Sequence, residues 1–88
     1  MGSSNGRTTV EVRVELKPGV FDAEGDGVLK ALRLLGIAHV RDVATARVYR
    51  LEFEGVDPAE AERLAARAVD RLLANPVVHR VVVSPGNA

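Results

Sequence analysis

Apolar and polar residues alternate one by one over residues 8–16, where the apolar side chains are Val10, Val12, Val14 and Leu16. Alternation with a period of two, in a segment rich in β-branched residues, predicts a strand with one buried face. Lys17-Pro18-Gly19 follows and predicts the end of this strand, because proline lacks a backbone N–H group and glycine adopts turn conformations easily.

Residues 22–35 change to helical spacing, with an apolar stripe made of Val28, Leu29, Ala31, Leu32 and Leu35. Asp22 is the predicted N-cap, because its carboxylate can accept hydrogen bonds from free N–H groups of the first turn. Gly25 and Gly27 weaken that turn by about 1 kcal/mol each relative to alanine. Gly36 is the predicted residue after the helix, where glycine readily adopts a left-handed conformation.

The pattern over residues 40–54 predicts a strand, a turn and a second strand. The second part alternates well, with Tyr49, Leu51 and Phe53 on one side and charged residues on the other. A single strand over the whole range would be long for a small domain. We therefore expect a tight turn or bulge near Thr45–Arg47, although no Asn-Gly or Asp-Gly pair marks it.

The second helix is predicted to begin at Asp57-Pro58, because aspartate is a good N-cap, proline suits the first helical position, and Glu60 completes a pair resembling a capping box. Its buried stripe is expected to comprise Ala61, Leu64, Ala65, Ala68 and Leu72, widened by Val69 and Leu73. Asn75-Pro76 ends the helix. The valine-rich residues 77–83 then predict a last strand.

These elements follow in the order β-α-β-β-α-β, which predicts an α+β, ferredoxin-like two-layer sandwich, an antiparallel sheet with two helices on one face. Residues 8–84 would form this single domain. Residues 1–7 are expected to be a disordered arm or a cloning remnant, and residues 85–88 a short tail. A chain of 88 residues buries only a modest share of its surface, so self-association would add to its stability.

Composition argues against several classes of protein. The 12 basic and 12 acidic residues balance, so there is no overall field to attract nucleic acid or anionic lipid. With one tyrosine and two phenylalanines, the chain lacks the aromatic motif of an RNA-recognition sheet. No apolar run approaches the roughly 20 residues of a membrane span, and no signal peptide is recognisable. The lack of cysteine fits the cytoplasm. We expect a cytoplasmic protein that binds neither nucleic acid nor membranes.

Reactive side chains form no catalytic pattern in the sequence. His39 and His79 lack the i, i+4 partner of a helical metal site, and we interpret both as surface or interface residues. Without cysteine, and with serine only near the termini, a nucleophile–base pair is not indicated. The two acids of Glu24-Gly25-Asp26-Gly27 would repel phosphate. The sequence therefore predicts no catalytic, cofactor-binding or metal site.

Arginines on the second predicted helix are candidate binding residues. Arg63, Arg67 and Arg71 recur every four residues and share one helical face. One interpretation is a solvated face with ion pairs to Glu60 and Asp70. The other is a docking face for an acidic patch on a partner.

A second group of arginines surrounds the predicted turn. Arg41, Arg47 and Arg50 allow the same two interpretations, and the tips of hairpins often make contacts. The candidate partner interface therefore consists of Arg41, Arg47, Tyr49, Arg50, Arg63, Arg67 and Arg71.

Leu72-Leu73-Ala74-Asn75-Pro76-Val77-Val78 resembles the Leu-Leu-Ala-Asn-Pro-Val-Ile segment of the PurS family, small subunits of phosphoribosylformylglycinamidine synthase. Leu16-Lys17 followed by Val20-Phe21-Asp22-Ala23-Glu24-Gly25 resembles that family's Leu-Lys and Val-x-Asp-Pro-Gln-Gly. The resemblance extends over about residues 10–83. It departs from the family at Ala23-Glu24, where Pro-Gln is usual, and at Ala44, Ala46 and Arg50, where the family carries arginine, glycine and glutamate.

The resemblance implies a subunit without an active site or bound cofactor of its own. PurS-like subunits join a PurL-type synthetase subunit and a PurQ-type glutaminase subunit. The complex converts formylglycinamide ribonucleotide to formylglycinamidine ribonucleotide with ATP, magnesium and glutamine. The resemblance further implies that this chain forms a homodimer or a dimer of dimers, bridges the two larger subunits and supports ammonia transfer between them.

An ACT-like regulatory module that binds amino acids is the alternative. Such modules share the same order of elements and bind amino acids at dimer interfaces, usually with a glycine-containing loop after the first strand. Lys17-Pro18-Gly19 could serve as that loop. A change in thermal stability on adding amino acids would distinguish this module from an assembly subunit.

Overall fold

The computed structural model describes residues 6–86, which fold into three strands and two helices. The strands are β1 (Arg7–Leu16), β2 (Ala46–Glu54) and β3 (His79–Pro85). The helices are α1 (Ala23–Leu34) and α2 (Pro58–Ala68), and α2 continues into a π-helical turn over Val69–Leu73. The predicted α+β class, with an antiparallel sheet and two helices, is confirmed.

The sheet has the strand order β2-β1-β3, with β1 antiparallel to both neighbours. Arg13 in the middle of β1 lies opposite Val48 of β2 and Val82 of β3. We call the face that carries these three residues the outer face and the opposite one the inner face. Both β2 and β3 are edge strands, so each has one row of backbone N–H and C=O groups that form no hydrogen bond within the sheet.

The core lies between the inner face and α2. The alternation in β1 is confirmed, because Val10, Val12 and Val14 are exposed by only 1%, 0% and 4%. Burial of such a side chain contributes roughly 1.5–3 kcal/mol. From α2, Ala61 and Ala65 are fully buried against these valines. Their small size lets the helix lie close to the sheet.

The strand and turn predicted over residues 40–47 are absent, so the sheet has three strands and not the four expected. Residues 40–45 have no regular structure, and a single strand begins at Ala46. The reason lies in competing hydrogen bonds, because Thr45 donates its N–H group to the Asp22 carboxylate at 2.7 Å. The N–H group of Thr45 is therefore used at the start of α1 and not in a ladder.

The buried stripe of the second helix also differs from the prediction at its end. Ala74 donates to the Val69 carbonyl, five residues back, which closes a π-helical turn. The wider turn shifts the helical face, so Leu73 packs against the core whereas Leu72 is 82% exposed. The prediction that Leu72 is buried was wrong.

Two boundary residues belong to strands instead of to the expected arm and tail. Arg7 is the first residue of β1, and Pro85 is the last residue of β3. Gly86 follows and donates to the Thr9 carbonyl at 2.7 Å. The remainder of the predicted arm and tail, residues 1–5 and 87–88, lies outside the described residues.

Candidate partner-binding surface

The carboxylate of Asp22 ties the first turn of α1 to the segment that precedes β2. Its Oδ1 accepts a hydrogen bond from the Gly25 N–H at 2.8 Å, which confirms the predicted N-cap. Its Oδ2 accepts from the N–H of Thr45 at 2.7 Å and from the Thr45 hydroxyl at 2.9 Å. The bonds from Gly25, and then those from Thr45, hold the pKa of Asp22 below its ordinary value.

Gly25 allows this segment to lie against the helix. It is the one buried residue of α1, and a Cβ atom built on it would stand 2.3 Å from the carbonyl oxygen of Val43. No side chain fits at that distance. By contrast, a Cβ atom on Gly27 would meet nothing within 4 Å. From the sequence, both glycines were expected only to weaken the helix, and this close approach of two backbones was not predicted.

The arginines around the expected turn do not form one cluster. Arg47 lies in the inner-face row of β2 opposite Val14, and Arg50 lies on the outer face opposite Glu11. The guanidinium Nη2 of Arg50 is 3.3 Å from a carboxylate oxygen of Glu11. Arg41 is exposed in the irregular segment before β2. The three arginines are thus presented in different directions.

Tyr49 and its neighbours on the inner face of β2 form an incompletely covered row. Tyr49, Leu51 and Phe53 are half-buried and pack at the margin of the core. The helix α2 lies over β1 and β3. This row therefore lies on a part of the sheet that α2 does not cover well.

The arginines of the second helix are all exposed. Arg63 pairs with Glu60, three residues before it, which supports the solvated interpretation for that residue. Arg67 lies near the end of α2, and Arg71 lies in the π-helical turn. Because a π-helical turn has more residues than an α-helical one, Arg71 leaves the regular line expected from the four-residue spacing.

Several apolar residues of α1 and of the residues just after it are exposed to solvent. Leu34 and Leu35 at its C-terminal end are 89% and 76% exposed, and Val28 and Ile37 are also exposed. The radius of gyration is 16.9 Å, whereas about 12 Å is typical of a compact chain of this length. Exposed apolar surface of this kind in a small protein indicates a binding surface.

An open cavity of about 450 Å³ lies between the end of the sheet, the turn after β1 and the segment before β2. The Glu15 carboxylate on its wall is 2.5 Å from Arg80 and 2.6 Å from Arg13. These two guanidinium groups, Arg80 first, hold the pKa of Glu15 below its ordinary value. Lys17-Pro18-Gly19, the loop considered for an ACT-like site, also lines the cavity.

The turn at Asn75-Pro76 is fixed by hydrogen bonds from several directions. The Asn75 side-chain oxygen accepts from the Val77 N–H at 3.0 Å, and the backbone N–H of Asn75 donates to Nδ1 of His79 at 2.8 Å. The ammonium group of Lys17 donates to the Pro76 carbonyl at 2.6 Å. His79 therefore serves a structural role in this turn. The exposed Leu72 and Val77 lie on either side of it.

Within residues 6–86, no group of three or more acidic or histidine side chains is arranged to hold a metal ion. In the same part of the chain, no helix is long and apolar enough to cross a membrane. What these residues do assemble is a set of exposed apolar and charged surfaces on a small α+β scaffold.

The fold and these surfaces define a small α+β protein with exposed apolar and charged faces. The chain belongs to the PurS family, because the family model described as "PurS: Phosphoribosylformylglycinamidine (FGAM) synthase" matches residues 9–85. The PurS subunit of phosphoribosylformylglycinamidine synthase from Archaeoglobus fulgidus is 49% identical over 70 residues, which are 80% of this chain and 88% of that protein. The family resemblance inferred from the sequence is thereby confirmed.

Solved structures share the fold. The crystal structure of PurS from Methanocaldococcus jannaschii, a subunit of formylglycinamide ribonucleotide amidotransferase, matches with a TM-score of 0.79 at 26% identity, over 92% of this chain and 98% of that one. A chain in the structure of PurLQS from Thermotoga maritima matches with a TM-score of 0.79 at 24% identity, over 91% and 98%. At that identity the likeness shows a common fold.

Proposed function

We propose that this chain is the small, non-catalytic subunit of phosphoribosylformylglycinamidine synthase in purine biosynthesis. The observation that carries the proposal is the family match over residues 9–85, together with 49% identity to a PurS subunit. The surfaces on the described residues support it, because they offer contacts for partners and no converging set of reactive groups. The chain would bind no cofactor itself and would act in the cytoplasm.

In this role the chain bridges a PurL-type synthetase subunit and a PurQ-type glutaminase subunit. Those subunits use ATP, magnesium and glutamine to convert formylglycinamide ribonucleotide to formylglycinamidine ribonucleotide. The small subunit supports the passage of ammonia from one to the other. A chain with the same fold occurs in the structure of PurLQS from Thermotoga maritima. This likeness supports the proposal that PurL-type and PurQ-type subunits are the partners.

The chain also associates with itself, as a homodimer or a dimer of dimers. Leu34 and Leu35 at the end of α1 and the half-covered row of Tyr49, Leu51 and Phe53 would otherwise remain in water. Within residues 6–86 only five apolar side chains are fully buried. Such a small core gives a single copy little stability, and association adds to it.

Co-elution tests the assembly directly. The chain is mixed with PurL-type and PurQ-type subunits of the same organism in the presence of ATP, magnesium and glutamine, and the mixture is separated by size. We expect one complex that contains all three chains. If the two larger subunits elute without this chain under these conditions, the bridging role is wrong.

A further inference from the structure

The strand β3 has a free edge whose outward backbone groups can be assigned from the register. The N–H of Lys17 donates to the Val78 carbonyl at 2.8 Å, and the N–H of Gly86 donates to the Thr9 carbonyl at 2.7 Å. Hydrogen-bonded pairs recur at every second position of an antiparallel ladder, so the even-numbered residues of β3 bond to β1. The odd-numbered residues therefore direct their N–H and C=O groups away from the sheet.

The usable part of this edge is short. The N–H of His79 already donates to the Asn75 carbonyl at 2.8 Å, and Pro85 has no N–H group. Between these ends, Val81 and Val83 each direct an N–H and a C=O group outward. A strand added to this edge could therefore form about four N–H···O bonds with these two residues.

A shallow groove lies between α2 and β3 on the inner face of the sheet. Its volume is about 370 Å³, and it is lined by Val83 and by four residues of α2, which are Ala59, Glu62, Arg63 and Ala66. The two alanines are exposed, and their small side chains leave room beside the edge. A strand added to β3 would direct every second side chain towards this groove, because residues opposite one another in a ladder share a face.

The outer face of the same edge is apolar at its centre and basic at one end. Val82 is 49% exposed on this face, and Arg80 lies two residues before it. The Arg80 guanidinium pairs with Glu15, yet the Arg80 side chain is still 59% exposed. An added strand would therefore meet apolar surface on both faces and one accessible cation on the outer face.

We propose that β3 pairs with an extended apolar segment of another subunit of the synthase, which adds a fourth strand to the sheet at this edge. The inference rests on the proposed function, and it assigns one of the surfaces through which the subunits assemble. The segment carries three successive apolar residues, of which the first and third point into the groove beside α2 and the second lies beside Val82. An acidic residue two positions from the second one lies beside Arg80, where a cross-strand pair of opposite charge is favourable.

The small size of this edge favours a segment of a larger partner over a second copy of the chain. A stable interface between two proteins buries about 1,200–2,000 Å², whereas a strand of three residues spans only about 10 Å. A contact of that size is too small to hold two copies together by itself. It suits a subunit that also contacts this chain elsewhere, because strand addition then supplies main-chain hydrogen bonds and the groove supplies specificity.

Hydrogen exchange provides the first test, because the register predicts an alternating pattern along β3. In the chain alone, the N–H groups of Val81 and Val83 should exchange quickly, whereas those of Arg80, Val82 and Ser84 bond to β1 and should exchange slowly. The isotope-labelled chain is exposed to deuterated water within the complex of all three subunits, and its NMR spectrum is recorded after the complex is dissociated. We expect exchange at Val81 and Val83 to slow roughly a hundredfold in the complex.

Proline at position 83 provides the second test. Proline is tolerated on an edge strand where its missing N–H group would face solvent, so Val83→Pro should retain the ladder with β1 and lose a bond to the added strand. We expect the Kd of the chain for the PurL-type and PurQ-type subunits together to rise roughly tenfold. The matched control is Val83→Ala, which also shortens the side chain but keeps the N–H group and should bind nearly as the wild type does.

A substitution on α2 keeps the inference testable if proline impairs folding. Ala66 is exposed at the groove, so Ala66→Trp should fill the groove without altering the strand. We expect a rise in Kd similar to that of Val83→Pro. The control is Ala23→Trp, at an exposed position outside the groove at the start of α1, which should leave the Kd unchanged.

The outcomes separate this inference from the proposed function. If Val81 and Val83 are already protected from exchange in the chain alone, a second copy occupies the edge and the inference is wrong. If the complex of three subunits forms without slower exchange at these two residues, the inference is wrong and the proposed function stands. Failure of the three chains to co-elute would overturn the proposed function, and this inference with it.

Discussion

Replacing Gly25 by alanine should destabilise this protein, even though alanine is the better helix former. Helix propensity alone would favour the substitution by about 1 kcal/mol. The new Cβ atom, however, would stand 2.3 Å from the Val43 carbonyl oxygen and 3.0 Å from the carboxylate carbon of Asp22. A backbone atom at 2.3 Å cannot be accommodated by turning a side chain.

Two costs oppose the gain in propensity. Crowding of this kind in a packed site costs about 1–3 kcal/mol. If the segment before β2 moves away to relieve it, the hydrogen bonds from Thr45 to Asp22 are lost at about 1 kcal/mol each. The net expectation is that Gly25→Ala lowers the free energy of unfolding by about 1–2 kcal/mol. For a domain of this size the melting temperature would fall by about 5–15 °C.

Gly27→Ala is the matched control in the same helix. No atom lies within 4 Å of a Cβ built there, so the gain in propensity should appear alone, as an increase of about 0.5–1 kcal/mol. Denaturant unfolding followed by circular dichroism measures both variants. Hydrogen exchange at the Thr45 N–H should accelerate in Gly25→Ala only. Equal stabilities of the two variants would refute the close approach of Val43 to the helix.

Three further expectations follow from the same geometry. Leu72→Ala should change the free energy of unfolding by no more than about 0.5 kcal/mol, because that side chain is largely exposed. Leu73→Ala should lower it by about 1–2 kcal/mol, because Leu73 packs against the core. Equal losses in the two variants would contradict the π-helical turn. Folding lowers the pKa of Asp22 from its ordinary 3.8, so its stabilising contribution is complete above about pH 5 and is lost as the pH falls. The stability difference between wild type and Asp22→Asn should therefore shrink in acid, and a constant difference would count against the hydrogen bonds to Asp22. Thermal melting should not respond to individual amino acids; a clear shift with one of them would favour the ACT-like alternative.

Local signals in the sequence were sufficient for the elements that short-range forces decide. The alternation of valines in β1 has one physical explanation, a strand with one buried face, and those valines are the core. Asp22 and Asp57 act as N-caps at 2.8 Å from the N–H groups three residues on. Capping depends on neighbours along the chain, so the residues alone predict it.

Two features depended on contacts that the sequence does not display. The segment before β2 is apolar enough to suggest a strand, but a hydrogen bond to Asp22 holds its backbone at the start of α1. The lack of a side chain on Gly25 leaves room there for the Val43 carbonyl oxygen. The π-helical turn inserts one residue into a regular pattern, and this moves Leu72 out of the expected buried stripe while Leu73 stays against the core. A glycine pair early in a helix was the one available sign of close backbone packing.

The arrangement of the candidate interface residues in the fold was predictable only in part. Arginine is common at interfaces, and the predicted interface accordingly comprised six arginines around two elements together with Tyr49. Without the turn, Arg47 and Arg50 lie on opposite faces of the sheet.

The measurement that tests the central claim most directly compares two nitrogen sources. Purified PurL-type and PurQ-type subunits are assayed for formation of formylglycinamidine ribonucleotide with glutamine or with free ammonia, each with and without this chain. We predict that omission of the chain abolishes the glutamine-dependent activity and leaves the ammonia-dependent activity in place. Equal glutamine-dependent activity in its absence would contradict the assignment of this chain as the bridging subunit.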